Sequence, residues 1–398
     1  SGSMKMDGTS SHPVFNGKVS ARQGVINVPK IGAKINLPQT PIPVEDNIIR
    51  LNQYSLRCSN SNPITIVGQV NINNLSDIAV ELAINGNNVQ FVNAKQYRQS
   101  QVFGKGYINL NATAKGYLDH LSVNANATLL SGSNITYVLS ENVGSTSDRV
   151  DENMVKFVNL ADSTFFEDLE EEEEITTSSM TINAKVTVQT GTIINVYLTR
   201  DGRDRVIAQG NGTLNYYQGF TGDPRLTGRL AIEKGSVRYK PPLISQKYFE
   251  LVEGSYVSFT GEMLNPSLHL SGISEQKTSV NQSSGGSNLV KFKVTANITG
   301  TLNEMGINFD LSTDEDMTIQ NELSTMSENQ RSNTAINLLL YNSYMGYNTS
   351  QSNIGNNMLY SFLSSQLNNW AASAVTGVDL SFGIDQFNSS SGSPETSY

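Results

Sequence analysis

The feature that most constrains the fold of this chain is a strict alternation of apolar and polar residues. In the segment Leu121–Leu129, every odd position is aliphatic or alanine, and every even position is Ser, Asn or Thr. Because successive side chains of a β-strand point to opposite faces, this segment predicts a strand with one apolar and one polar face. Similar rows begin at Ile64, Ile108, Met180 and Phe292. The sequence therefore predicts an all-β fold.

The number of such rows predicts a very long sheet. We distinguish roughly 18 to 20 segments of about 8 to 10 residues, which at ~4.8 Å per strand form a sheet about 90 Å long. Turns are predicted at Asn85-Gly86, Asp201-Gly202 and Asn211-Gly212. Alternation does not separate an open trough from a closed sandwich, since both need apolar rows inside. The small, aliphatic character of the rows favours the trough, because wide cores usually contain more aromatic residues.

Composition excludes several classes of function. The formal net charge of −9 argues against a nucleic-acid partner. A single cysteine, Cys58, rules out an intrachain disulfide, and we expect it to be buried. The three histidines, His12, His120 and His269, lie far apart and show no metal-ligand spacing. No phosphate-binding loop or nucleophile elbow occurs. We therefore predict that the chain is not an enzyme, and that it has no catalytic residues, no metal and no cofactor.

Two segments depart from the strand pattern. The acidic stretch Glu167–Glu174 is predicted to be a solvated loop. Between Met317 and Thr376 the apolar period changes to that of a helix, with Asp314 and Asp316 placed near a helix start. We predict an unstructured tag over 1–12, where the chain opens with SGSM, strand repeats over 13–316, a helical insert over 317–377, a terminal strand over 378–388 and a disordered tail over 389–398.

One stretch carries a family resemblance. The segment Leu226–Thr278 is similar to the strand repeats of the TamB family C-terminal domain, in its Bacteroidetes-like branch. The residues that match the family pattern are Gly235, Val237, Tyr239, Pro241, Phe249, Gly254, Ser255, Phe259, Gly261, Asn265, Pro266 and Leu268. SGSNITYVLS at 131–140, VKFVNLAD at 155–162 and the NLLLYNSYM segment also resemble that branch.

The resemblance implies a β-taco, which is an elongated U-shaped sheet with an apolar interior, as in the AsmA-like, bridge-type lipid transfer superfamily. It implies a periplasmic protein, anchored by an N-terminal inner-membrane helix that is missing from this sequence. It also implies an Omp85-type outer-membrane barrel (TamA-like or a relative) and nascent outer-membrane proteins as partners. The expected ligand is a phospholipid or another acyl-chain lipid.

From these expectations we predict which residues form the site. The predicted lipid groove consists of Val123, Ala125, Ala127, Val186, Val188, Leu230, Ile232, Leu268, Leu270, Val294, Ala296 and Ile298. The possible lid over it consists of Phe362, Leu363, Leu367 and Trp370. Two other hypotheses remain open at this point. One is a chaperone scaffold that templates barrel strands on exposed strand edges without lipid transport. The other is a secreted β-solenoid adhesin.

Overall fold

The computed structural model of the chain describes residues 2–9, 12–21, 24–28, 31–97, 101–138, 180–240, 246–281 and 286–344. These ranges form one mixed sheet of nineteen strands followed by two helices. The strands are Gly2–Thr9 (β1), His12–Val19 (β2), Val25–Val28 (β3), Ala33–Asn36 (β4), Ile42–Glu45 (β5), Ile48–Arg57 (β6), Pro63–Asn71 (β7), Ala79–Ala94 (β8), Val102–Tyr117 (β9), His120–Leu129 (β10), Asn134–Val138 (β11), Met180–Tyr197 (β12), Arg205–Gln218 (β13), Arg225–Tyr239 (β14), Lys247–Leu251 (β15), Tyr256–Glu262 (β16), Ser267–Asn281 (β17), Ser287–Thr301 (β18) and Met305–Ser312 (β19). The helices are Met317–Thr325 (α1) and Glu328–Tyr341 (α2).

Most strands pair with their neighbours in sequence and run antiparallel, as in a meander. This holds from β6 to β9, from β12 to β14 and from β17 to β19. The exceptions are β10 and β11, which lie end to end between β9 and β12 and run parallel to β12. The all-β prediction is confirmed. The solenoid alternative is wrong, because a β-solenoid stacks parallel strands at a constant period.

The sheet is shorter than the strand count predicted. Besides β10 and β11, the strands β15 and β16 also lie end to end, between β14 and β17. At the other end of the sheet, β4 and β5 both pair with β6, and their own outer partners β3 and β2 share the next position. Nineteen strands therefore occupy about fifteen positions, and at ~4.8 Å per position the sheet is about 70 Å long.

The first residues of the chain differ from our expectation. We predicted that 1–12 lacks structure, whereas the structure pairs β1 with β2 over the whole length of both strands. Every residue of β1 is exposed, so backbone hydrogen bonds rather than side-chain burial hold it in place. This interaction leaves no apolar periodicity in the sequence, which is why the strand was missed.

Several strands are longer than predicted, because two of the three predicted turns lie inside strands. Gly86 lies within β8 and Gly212 within β13, and only Asp201-Gly202 forms a turn. A Cβ atom on Gly212 would lie 2.1 Å from the carbonyl oxygen of Arg229 on the neighbouring strand. Glycine is therefore required there by the close approach of two backbones, and not by a change of chain direction.

The helical segment begins where the sequence predicted, at Met317. The carboxylate of Asp316 accepts hydrogen bonds from the backbone N–H groups of Thr318 and Ile319, at 2.9 and 3.2 Å, and so caps α1. A capping box formed by Ser327 and Gln330 starts α2. Residues 345–377, the terminal strand 378–388, the tail 389–398 and the acidic stretch 167–174 lie outside the described residues. The predicted lid residues are among them.

The main hydrophobic core of the described residues lies between the helices and the last two strands. Phe292 and Val294 of β18 and Leu338 of α2 are completely buried, at 0% exposure. They pack in one cluster with Val290, Phe309, Leu311, Ile319, Leu323, Met326, Ala335, Ile336 and Leu339. The two helices thus cover the apolar face of the sheet at its β18–β19 end.

Truncation of the central aromatic residue in this core should destabilise the protein. We expect Phe292→Ala to lower the free energy of unfolding by about 3–5 kcal/mol, because it removes buried surface and leaves a cavity. Leu289→Ala, on the same strand at 66% exposure, should change it by less than about 1 kcal/mol. Urea unfolding followed by circular dichroism measures both. Equal effects of the two substitutions would contradict the described packing.

Candidate functional site: the apolar face of the sheet

One face of the sheet is apolar without interruption over ten strands. Successive register partners on neighbouring strands, from β8 to β19, form a single row of residues. The row consists of Val89, Ile108, Leu129, Val188, Gly212, Leu230, Val257, Leu268, Gly300 and Met305. Directly opposed residues of neighbouring strands share a face. At ~4.8 Å per strand, the row is about 43 Å long. It contains no polar or charged side chain.

The structure brings all twelve predicted groove residues to this face. Ala127 is the register partner of Val186, and Leu129 that of Val188. Leu268 is the register partner of Val257, and Val257 is that of Leu230. Ile232 lies two residues after Leu230, on the same side of β14. Leu270 opposes Ile298, and Ala296 and Val294 follow on the same side of β18. Their assignment as lipid contacts stays a prediction.

The exposure of this face changes along the sheet. In β10 the apolar residues Val123, Ala125 and Ala127 are only half-buried, while the polar residues between them are exposed. Within the described residues, the repeated contacts of β10 are with its sheet neighbours β9 and β12, and those of α1 and α2 with the sheet are with β19. Val294 lies at 0% exposure beneath the helices. The face is therefore a core under α1 and α2, whereas around β10 it is a half-exposed apolar surface that these two helices do not cover.

The opposite face carries the charged groups. Lys115 donates to Glu81, its register partner, at 2.9 Å, and Asn111 donates to Asn85 at 2.8 Å. Such exposed pairs contribute little to stability, typically below about 1 kcal/mol. What matters here is their position, since these polar pairs lie on the face opposite to the apolar row that runs from β8 to β19.

At one rim the apolar face ends in polar groups. Lys247 is the register partner of Tyr239, so its side chain shares the apolar side of the sheet. Burial lowers the pKa of the Lys247 amine below its ordinary value. Burial also raises the pKa of Tyr239 to about 12, with the Asp204 charge adding to that effect. Burial raises the pKa of Asp204 as well, although its carboxylate accepts a 2.7 Å hydrogen bond from the Lys240 N–H.

Several members of the same face were not among the predicted groove residues. Ile108, Leu214, Val257 and Phe259 share it by register with predicted groove residues. The alternation around Ile108 had already been identified as an apolar row. Leu214 directly follows the turn predicted at Asn211-Gly212, where the structure has one continuous strand.

The cysteine and the histidines show no arrangement that points to chemistry. Cys58 is buried at 5% exposure, as predicted, and burial raises the pKa of its thiol. His269 lies exposed on the polar face and stacks on Tyr256 at a centroid distance of 4.9 Å. His120 is also exposed and lies 3.2 Å from the carboxylate of Asp119. In the described ranges, no three potential metal ligands come together.

The free edge of β19 is bridged by side chains of α2. Arg331 donates to Asp310 at 2.8 Å, and the Asn308 amide donates to Glu328 at 3.3 Å. Asp310 and Asn308 alternate with Phe309 and Leu311, so they lie on the face opposite to the core. The helix therefore reaches around this edge strand and restricts access to it.

Comparison with known families accounts for this architecture. The profile described as the TamB C-terminal domain matches residues 52–397. The chain belongs to the TamB C-terminal domain family. Membership links it to the cell envelope and to outer-membrane assembly or lipid transport in general, a function associated with the outer-membrane protein TamA. Among curated proteins, no match to the chain was found.

In this TamB-family chain, neither α1 nor α2, the two helices of the described ranges, is long and apolar enough to cross a membrane.

A charge placed on this face should distinguish its covered part from its uncovered part. We expect Val294→Asp to lower the melting temperature by ten degrees or more, since it buries an unpaired carboxylate. Ala125→Asp should lower it by only a few degrees, because its site is half-open to water. Differential scanning fluorimetry measures both shifts. An equally large loss in Ala125→Asp would show that β10 also lies in a closed core.

Proposed function

We propose that the uncovered apolar face holds the acyl chains of a phospholipid or a related lipid and guides them between the two membranes of the envelope. The observation that carries this proposal is the unbroken apolar row across ten strands, half-buried and uncovered around β10. Each methylene group removed from water contributes ~0.8 kcal/mol, so a 16-carbon chain in water faces a penalty of about 12 kcal/mol. A continuous apolar surface offsets most of that penalty.

The polar groups at the rim suit a lipid whose headgroup stays in water while its acyl chain lies on the apolar side. An acyl chain lying along the apolar side places its headgroup at the boundary of that side. Lys247 is the cation at this boundary, and it has no ion pair within the described part of the chain. A phosphate group would supply the missing partner. Nothing in this arrangement needs a nucleophile or a cofactor, so we propose a non-enzymatic carrier.

The proposed location, membrane anchor and protein partner are supported by family membership and not by a contact in the structure. Family membership supports a periplasmic location, an inner-membrane anchor and, as the receiving partner, an Omp85-type barrel of the TamA kind. A chaperone that templates nascent outer-membrane strands is the competing function. It receives no support at β19, where α2 bridges the edge through Arg331 and Glu328.

A charged residue in the groove should remove bound lipid. We expect the purified protein to carry phospholipid, and Ala125→Asp to retain less than about a tenth of it, because a carboxylate next to an acyl chain is poorly solvated. Native mass spectrometry of the intact protein measures the bound lipid. Lipid transfer between donor and acceptor vesicles should fall in parallel.

The matched control is Asn126→Asp. It places the same charge one residue further along β10, on the exposed polar face. This variant should carry as much lipid as the wild type. If a folded Ala125→Asp protein binds and transfers lipid as well as Asn126→Asp does, the conduit proposal fails.

A further inference from the structure

An open cavity lies on the opposite, polar face of the sheet. It has a volume of about 450 Å³ and is lined mainly by residues of β9, β11, β12 and β13. Phe103, Thr136 and Asn195 are successive register partners across three of these strands. They alternate with Gly104, Ile135 and Ile194, which belong to the apolar side. A ligand in this cavity is therefore separated from the lipid face by the thickness of the sheet.

The floor of the cavity is a buried polar network. The side-chain amide of Asn195 donates to Asn134 Oδ1 at 2.7 Å and to Thr136 Oγ1 at 3.2 Å. Asn195 is 9% exposed and Thr136 is 5% exposed. Because the Thr136 oxygen accepts from Asn195, its hydroxyl hydrogen is free to donate to a ligand. The network holds both side chains in one orientation before any ligand arrives.

Two cations line the cavity without counter-charges. Among the described residues, neither Lys105 nor Arg205 forms an ion pair, and Arg205 Nε is buried without a hydrogen-bond partner. Some other cations of this face have acidic partners, such as Lys115 with Glu81 and Lys293 with Asp314. A buried donor without an acceptor destabilises the protein unless a ligand satisfies it.

One wall of the cavity is aromatic. Phe103 and Tyr197 meet edge to face, with ring centroids 5.5 Å apart and planes at 79°. The volume is within the range of small-molecule sites, ~300–1,000 Å³. The cavity therefore combines cationic and hydroxyl donors with an aromatic surface.

We propose that this cavity binds a phosphate group, with Arg205 and Lys105 as its charged donors, Thr136 as a neutral donor, and the Phe103–Tyr197 wall against the group that carries the phosphate. Guanidinium and ammonium donors form strong, charge-assisted hydrogen bonds with phosphate oxygens. The phosphate can belong to a small soluble ester or to a lipid headgroup at a membrane surface. The site is independent of the proposed lipid groove.

The test uses the full chain with phenyl phosphate as the soluble probe, measured by isothermal titration calorimetry. We expect wild-type binding that weakens with added salt. Arg205→Gln should weaken it at least about tenfold, as expected for the loss of a charged hydrogen-bond donor. Arg205→Lys, which keeps the charge but loses the planar fork, should give an intermediate loss. These variants are compared at equal folded fraction, checked by circular dichroism.

Lys185→Gln is the control, since Lys185 lies exposed on the same face and the substitution changes the net charge equally. It should leave binding unchanged. A second arm replaces phenyl phosphate with phosphatidylglycerol vesicles and with uncharged phosphatidylcholine vesicles. Binding that depends on Arg205 in either arm supports the site and identifies the source of the phosphate. Absence of binding in both arms, or equal binding by Arg205→Gln and Lys185→Gln, would overturn it.

Discussion

Everything in this structure depends on the strands keeping one register, in which the apolar side of each strand falls on the same face. A slip of one residue would turn the apolar set of a strand to the polar side. The register survives even where the pairing is interrupted. Between Val188 and Thr192, β12 bulges relative to β13, and after the bulge Ile194 and Val196 again lie on the apolar side. β13 and β14 pass a bulge near Gly210 in the same manner.

This register gives the two faces of the sheet different chemistry. Ion pairs such as Glu81 with Lys115 lie on one side, and the apolar row from Val89 of β8 to Met305 of β19 lies on the other. The same apolar row is used in two ways. Beneath α1 and α2 it forms a core around Phe292 and Leu338. Around β10 it is left half-exposed, so the sheet offers a surface there that the helices do not occupy.

Alternation in the sequence predicted most of the apolar face, because period two is a property of each strand by itself. It predicted that the twelve residues of the proposed groove share one face, while their role as lipid contacts stays a prediction. The change to a helical period near Asp316 predicted the start of α1, which Asp316 caps. Alternation did not predict strand lengths, because Gly86 and Gly212 have the composition of a turn. Glycine is needed at position 212 because the backbone of the neighbouring strand is close, with the carbonyl oxygen of Arg229 2.1 Å from where a Cβ atom would lie. A local sequence pattern cannot show such a contact between strands.

The polar cavity was beyond sequence reasoning for the same reason. Lys105, Thr136 and Arg205 belong to strands separated by long stretches of chain, and each by itself is an ordinary residue of a polar face. Only the pairing of β9, β11, β12 and β13 brings them together. The first residues of the chain were missed because β1 is held by backbone pairing alone.

The central claim is that lipid lies on the apolar side of β10, and site-specific photocrosslinking tests it most directly. A photoreactive amino acid would be placed in turn at each position from Ser122 to Ala127, and crosslinks to a lipid labelled in its acyl chain would be counted. The account predicts a yield that alternates along the strand, high at Val123, Ala125 and Ala127 and low at the three positions between them. Equal yields at all six positions, or crosslinks only from the polar positions, would contradict it.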